Sequence, residues 1–328
     1  MPPAPLPVIL DVDTGVDDAC ALLLAARHPA LDLRAVTCVA GNAPLDLVVA
    51  NTLTVLDVAG RHEVPVAAGA GRPLLEDPAD ARHVHGRDGM GDLGRPRSAR
   101  VPQPVHAVEL LRSQLMAAAR TGEPITLIPL APLTNIALLL RTYPAVAQGI
   151  SRVLFMGGSA STGNATASAE FNVFHDPEAA AIVLDACAAL GVPVTMYGLD
   201  VFYEPQVTAA QAGELIAADP AGPAGLAGEL IAYQCARFES QSATIGDAGA
   251  VCAAIAPGGI VTRTLPVRVE LSGRHTRGRT VVDQRDPLTH DPHGRPDAVV
   301  DVAVDVDGAA FSRLWLDTVG FHTVGGGC

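Results

Sequence analysis

Residues 9–19 read Ile9-Leu10-Asp11-Val12-Asp13-Thr14-Gly15-Val16-Asp17-Asp18-Ala19, an apolar run that ends in four carboxylates gathered around one glycine. Val8–Val12 predicts a buried strand, and Asp17–Arg27 a helix that stops before Pro29. The same alternation continues outward. Leu33–Val39 reads as a strand and Leu45–Ala59 as a helix closed by Gly60. Ile125–Leu130 and Arg152–Met156 read as buried strands with a helix at Leu133–Arg141 between them, then Asp176–Leu190 as helix and Val194–Tyr197 as strand. Repetition of strand and helix predicts an α/β fold: one domain over residues 1–328, with a central, mostly parallel open sheet flanked by helices. Pro73–Val101 and Asp219–Gly228 read as long loops, which usually serve a site.

In open α/β sheets, ligands bind beyond the carboxyl ends of the strands. Four polar segments follow predicted strands and should converge there: Asp13–Asp18, Gly41-Asn42, Ala131–Asn135 and the stretch after Gly157-Gly158. Crowding carboxylates at a buried sheet edge costs several kcal/mol unless a cation or hydrogen bonds offset it. An all-oxygen set around a flexible turn suits Ca²⁺ or Mg²⁺, and this degree of crowding favours Ca²⁺. Asp17 and Asp18 also suit the first helical turn, where they would cap N–H groups and complement the dipole. An EF-hand would need Glu where Leu22 stands. A phosphotransferase of the haloacid dehalogenase type would have Thr or Val in place of Gly15. Asp13-Thr14-Gly15 matches an aspartic-protease triplet, but no second such triplet occurs to share the proton.

The bulk properties narrow the partners. A hydrophobic fraction of 49% supports a sizeable core. A net charge of −13 and only 4% aromatic residues argue against a nucleic-acid partner. No apolar run reaches membrane-spanning length, and Met1–Pro7 lacks the basic start of a secretory signal. The six cysteines show no metal or disulfide spacing, so reduced buried thiols and a cytoplasmic location are expected. The tail at residues 324–328, Val-Gly-Gly-Gly-Cys, is expected to be disordered.

Asp11–Ala19 resembles the DxDxGxDDA signature of the inosine–uridine-preferring nucleoside hydrolases, and later segments follow in that family's order. Gly41-Asn42, His85–Gly91, Ala131–Asn135, Met156-Gly157-Gly158 with Asn164, Ala169–Asn172, Asp176–Ala179 and Gly278–Asp283 are each similar to one of its motifs. The resemblance implies that Asp13, Asp18 and Asp247 bind Ca²⁺ through carboxylates and Leu130 through its carbonyl, where the family usually has Thr. Asp13 would also be general base toward the metal-bound water. Asp17, Asn42, Asn164, Glu170 and Asn172 would hold the ribose hydroxyls, with Met156 against the sugar. His85 would touch the base or the 5′ side; Asn135, read from its place in the turn, is expected to cap or pack it and not to touch substrate. The implied activity is hydrolysis of ribonucleosides to ribose and free base, by a homodimer or homotetramer. Carboxylates suit that chemistry, because positive charge builds on C1′ and O4′ as the glycosidic bond breaks.

One departure stands out. Many family members carry, directly before the last metal Asp, a His that protonates the leaving base; here that position is Gly246. Losing a general acid is typically worth about 10²- to 10⁴-fold in rate. The preceding helix offers Tyr233, Gln234, Arg237 and Phe238 toward the base, with Tyr233 and Arg237 as possible donors and Phe238 as a stacking partner. A hydrolase of another ribosyl compound, and a weak or silent ribose-binding protein, are the alternatives this departure leaves open.

Overall fold

The computed structural model describes residues 4–286, 289–294 and 298–321. Its strands are β1 (Leu6–Val12), β2 (Leu31–Cys38), β3 (Val66–Ala68), β4 (Ile125–Pro129), β5 (Ile150–Met156), β6 (Val194–Tyr197), β7 (Gln206–Thr208), β8 (Ser242–Thr244), β9 (Ile260–Val269), β10 (Thr280–Val282) and β11 (Val299–Val306). Nine of them form one sheet in the order β10-β9-β11-β6-β5-β4-β1-β2-β3, while β7 and β8 make a separate antiparallel pair. From β11 to β3 every neighbour is parallel, with Leu10 beside Val36 on one side and Ile128 on the other. Only β9 runs against the rest, pairing antiparallel with β11 on one side and with the edge strand β10 on the other. The fold is the expected single α/β domain with a mostly parallel sheet.

Alternation along β1 explains how the sheet is covered. Val8, Leu10 and Val12 enter one buried cluster with the helix Val16–Arg27, and Ile9 enters another on the opposite face with the helices Ala107–Thr121 and Thr134–Thr142. A parallel sheet needs both faces covered, and these two apolar layers do so.

The chain runs from β1 toward β2 and β3 on one side, then returns to place β4, β5 and β6 on the other. The switch therefore falls between β1 and β4, and the crevice lies beyond their carboxyl ends, at Asp13 and Leu130. The Leu130 N–H donates to the Asp11 carbonyl at 2.8 Å, carrying the pairing up to the crevice.

The expected loop at Asp219–Gly228 is corrected: a helix spans Pro223–Arg237, leaving only the turn before it irregular. Pro223 sits in the first turn, where no intrahelical N–H is required. Leu226, Leu230 and Ile231 recur at helical spacing and are buried. A Cβ on Gly228 would stand 2.5 Å from the Ala212 carbonyl oxygen, so glycine there permits close packing against the helix Ala209–Ala218. Pro73–Val101 is irregular as expected apart from a short helix at Arg82–His85. The tail at 324–328 lies outside the described residues. Among the described residues no helix is long and apolar enough to cross a membrane.

Candidate active site

Beyond the ends of β1 and β4 lies a cavity of about 430 Å³ whose floor is acidic. Asp18, in the first turn of Val16–Arg27, accepts N–H bonds from Asp13 (3.2 Å) and Gly15 (2.8 Å), so it caps the helix and joins the site at once. Asn42 bridges the acids: its backbone N–H reaches Asp13 Oδ2 at 2.7 Å and its side-chain amide reaches Asp18 Oδ2 at 3.1 Å. Asp247 arrives from the far end of the chain, where it precedes the helix Ala248–Ile255. Ligand oxygens of Asp17, Asp18 and Asp247 lie within 4.8 Å of one another, and Asp13 stands beside them.

Asp13, Asp18 and Asp247 are buried. Burial pushes the Asp13 and Asp247 carboxyls well above their ordinary range, and the neighbouring Asp18 and Asp17 respectively push them further. Asp18 is raised to about 7, mainly by burial and then by Asp17. Asp13 Oδ1 is buried with no hydrogen-bond partner. An orphaned oxygen among buried carboxylates fits a hard cation with oxygen ligands, so the cluster can bind a metal. The Leu130 carbonyl accepts from the Asn172 amide at 2.9 Å and keeps a second lone pair.

The second group of sequence candidates forms the side of the same cavity. Glu170 caps the helix Phe171–His175, accepting N–H bonds from Asn172 (2.7 Å), Val173 (3.1 Å) and Gly158 (2.8 Å). Burial nevertheless raises its carboxyl to about 7. Asn172 also donates to the Met156 carbonyl at 3.1 Å, and Asn164 Oδ1 accepts the Phe171 N–H at 2.9 Å. Asp17, Asn42, Leu130, Met156, Asn164, Glu170, Asn172 and Asp247 all line the cavity. Asp13 and Asp18 lie beneath that lining, fully buried. The motif Gly278–Asp283 acts at one remove, since Thr280 Oγ1 accepts from Ser159 N–H (2.8 Å) and donates to its carbonyl (2.7 Å), pinning the loop after β5. Asn135 is a strut between strands, donating to Asp11 Oδ1 at 2.8 Å and to the Cys38 carbonyl at 3.0 Å.

Of the residues expected near the base, His85, Gln234 and Phe238 line the cavity, whereas Tyr233 and Arg237 do not and are engaged elsewhere. The Tyr233 hydroxyl donates to the Val84 carbonyl at 3.0 Å, and Arg237 donates to the His83 carbonyl through Nε at 3.0 Å and a terminal nitrogen at 2.6 Å. His85 Nδ1 accepts the Val16 N–H at 3.1 Å, so a neutral ring carries its proton on Nε2. Phe202, Tyr203 and Thr244, which belong to no motif legible in the sequence, also line the cavity. Phe202 and Tyr203 stack edge to face with centroids 5.0 Å apart. Gly246 has φ +56°, and a Cβ there would stand 2.5 Å from Asp17 Cβ and 3.1 Å from Phe202 Cζ. Phe202 thus fills space that a side chain at 246 would enter.

Comparison with known proteins agrees with this arrangement. A family profile described as inosine-uridine preferring nucleoside hydrolase matches residues 8–313. The pyrimidine-specific ribonucleoside hydrolase RihA of Photobacterium profundum is 40% identical over 291 residues, covering 87% of this chain and 91% of that protein. The inosine-uridine preferring nucleoside hydrolase of Leishmania major is 38% identical over 316 residues, covering 95% of each. A solved inosine-guanosine nucleoside hydrolase matches with a TM-score of 0.87 at 30% identity, covering 97% of this chain and 99% of that one. The chain belongs to the inosine–uridine-preferring nucleoside hydrolase family. It is an N-ribohydrolase, an enzyme that splits ribonucleosides into ribose and free base.

Proposed function

We propose that this hydrolase is calcium-dependent, with Asp13, Asp18, Asp247 and the Leu130 carbonyl holding the ion and Asp13 serving as general base. The observation that carries the reading is the unpartnered Asp13 Oδ1, buried among carboxylates at the strand switch point. Calcium bound there would acidify a coordinated water and fix it in position. Asp13 takes the proton from the water that attacks C1′. Asp17, Asn42, Asn164, Glu170 and Asn172 bind the ribose hydroxyls, and Met156 packs against the sugar. The surrounding carboxylates stabilise positive charge at C1′ and O4′.

His85 faces the leaving base with Nε2–H. Burial pushes its pKa below the usual histidine range, so it stays neutral and donates a hydrogen bond to the departing base. With glycine at 246, the final proton comes from solvent. Phe202, Tyr203 and Phe238 supply the apolar surface against which the base packs. The acidic net charge and the five cysteines among the described residues, all buried and unbridged, support a cytoplasmic enzyme of nucleoside catabolism, and the family resemblance supports a homodimer or homotetramer.

Removing metal with a chelator should abolish turnover of purine and pyrimidine nucleosides, and calcium should restore it. Elemental analysis of the purified protein should find about one calcium per chain. Full turnover in metal-stripped protein would overturn the reading.

A further inference from the structure

The segment carrying His83 and His85 belongs to the irregular excursion at Pro73–Val101, and no sheet strand anchors it. Its attachment on the base side comes from the end of the helix Pro223–Arg237. Arg237 places two N–H groups on the His83 carbonyl, and the Tyr233 hydroxyl bonds the Val84 carbonyl. Tyr233 also fills the contact beside Gly91, where an added Cβ would meet its ring at 3.0 Å. The Arg237 guanidinium lies 5.9 Å from the centroid of the Phe238 ring, which lines the cavity. On the opposite side, His85 is fixed by the Val16 N–H at the start of the acidic helix.

We propose that Tyr233 and Arg237 are positioning residues for the reaction, a clasp that holds the 83–85 segment so that His85 Nε2–H meets the leaving base. The Tyr233 hydroxyl and two of the Arg237 N–H groups are spent on backbone carbonyls, and neither side chain lines the cavity, so their role is to position and not to touch substrate. The proposal rests on the reading that His85 faces the base. Guanidinium geometry suits this clasp because two of its N–H groups converge on one carbonyl.

The test uses full-length Tyr233→Phe, Arg237→Gln, Arg237→Lys and His85→Asn, with uridine, inosine and p-nitrophenyl riboside as substrates. The p-nitrophenolate leaving group needs no help from a donor. Tyr233→Phe and Arg237→Gln should lower kcat/KM on the nucleosides by about tenfold to 10²-fold, as an ångström of misplacement does, and barely change p-nitrophenyl riboside turnover. Arg237→Lys should recover part of the loss. In the His85→Asn background, Arg237→Gln should have almost no further effect, because the group it positions is already gone. Amide exchange at residues 83–85 should speed up in Arg237→Gln while Tm holds. Equal losses on all three substrates with a lowered Tm would reduce the clasp to a structural tie, and no loss on any would overturn it. If His85→Asn alone leaves nucleoside turnover intact, the reading of His85 fails, separately from the clasp.

Discussion

The floor of the cavity and its wall toward the base are built differently. The floor and the side next to it are built from residues that follow β1, β2, β4 and β8 and from the start of the helix Phe171–His175, and their polar groups are fixed by buried hydrogen bonds: Asn42 across two aspartates, Asn172 across two carbonyls, Glu170 under three N–H groups. Wall residues come from the excursion at 79–91, the turn at 199–203 and the end of the helix 223–237. The rim of this wall is open, with Phe238 57% and Tyr203 48% exposed although His85, Phe202 and Gln234 are buried, and the segment at 83–85 is tied by side chains reaching to its backbone. A rigid floor suits a reacting centre shared by all ribonucleosides, whereas a loosely tied wall can change with the base.

The sharpest way to test that division is to break the floor. Asp13→Ala should lower turnover by at least about 10³-fold, within the range for a lost general base, and equally for nucleosides and p-nitrophenyl riboside. The variant should fold, and without metal it should melt no lower than the parent, because one buried like charge has been removed. Near-normal rates on any substrate would show that the proton leaves by another route.

The contrast also explains what could be read from sequence. Floor residues follow strands directly, so Asp13, Asn42 and Leu130 occupy positions that apolar runs and short motifs mark without tertiary information. Phe202 and Tyr203 sit in no such motif and reach the cavity from the short helix Leu199–Phe202 after β6, where Asp200 also accepts the Ala160 N–H of the loop after β5 at 2.7 Å. Tyr233 and Arg237 looked like donors facing the base because a helix periodicity gives a face but not a partner. The helix start at Pro223 was hidden by proline and glycine, residues that read as loop until the packing of Ala212 on Gly228 is seen. β9 carries no clear strand pattern for a similar reason, with Pro266 inside it and exposed residues from Val261 to Thr264.

Gly246 lies where floor and wall meet, and a side chain there tests whether the two can be altered independently. With φ +56° and Asp17 Cβ only 2.5 Å from an added Cβ, restoring an acid by Gly246→His should not raise activity. Backbone strain of this kind costs about 1–3 kcal/mol, readable as a lower Tm. Displacing Asp17 should cut nucleoside turnover about tenfold or more, by misplacing the ribose. Gly246→Ala should show most of the same loss, since the fault lies in the Cβ. A gain on inosine at unchanged Tm would mean that Phe202 yields and that the wall has more slack than its packing implies.

The smallest effect on turnover is expected at His175, which lies behind the floor and outside the cavity lining. Its imidazole is buried, and its ring is tilted against Phe171 at 5.8 Å. Burial lowers its pKa to about 4, only partly opposed by the Ala79 backbone. In the unfolded chain the ring titrates near 6.5, so between about 6.5 and 4 the unfolded state binds the extra proton and stability falls as acid is added. Across that window the loss approaches about 3 kcal/mol, at about 1.4 kcal/mol per pH unit. Replacing the ring by His175→Phe should remove this component. The difference in unfolding free energy between variant and parent should therefore grow as pH drops from 6.5 to 4, and stop growing below 4, where the folded ring also takes a proton. Measuring the difference cancels the floor carboxylates, whose raised values act in the opposite sense in metal-free protein: they favour the folded state at low pH and lose that contribution as pH rises toward 7. A flat difference across the window would show that the ring is solvated or paired, and turnover at pH 7 should be the same in both proteins.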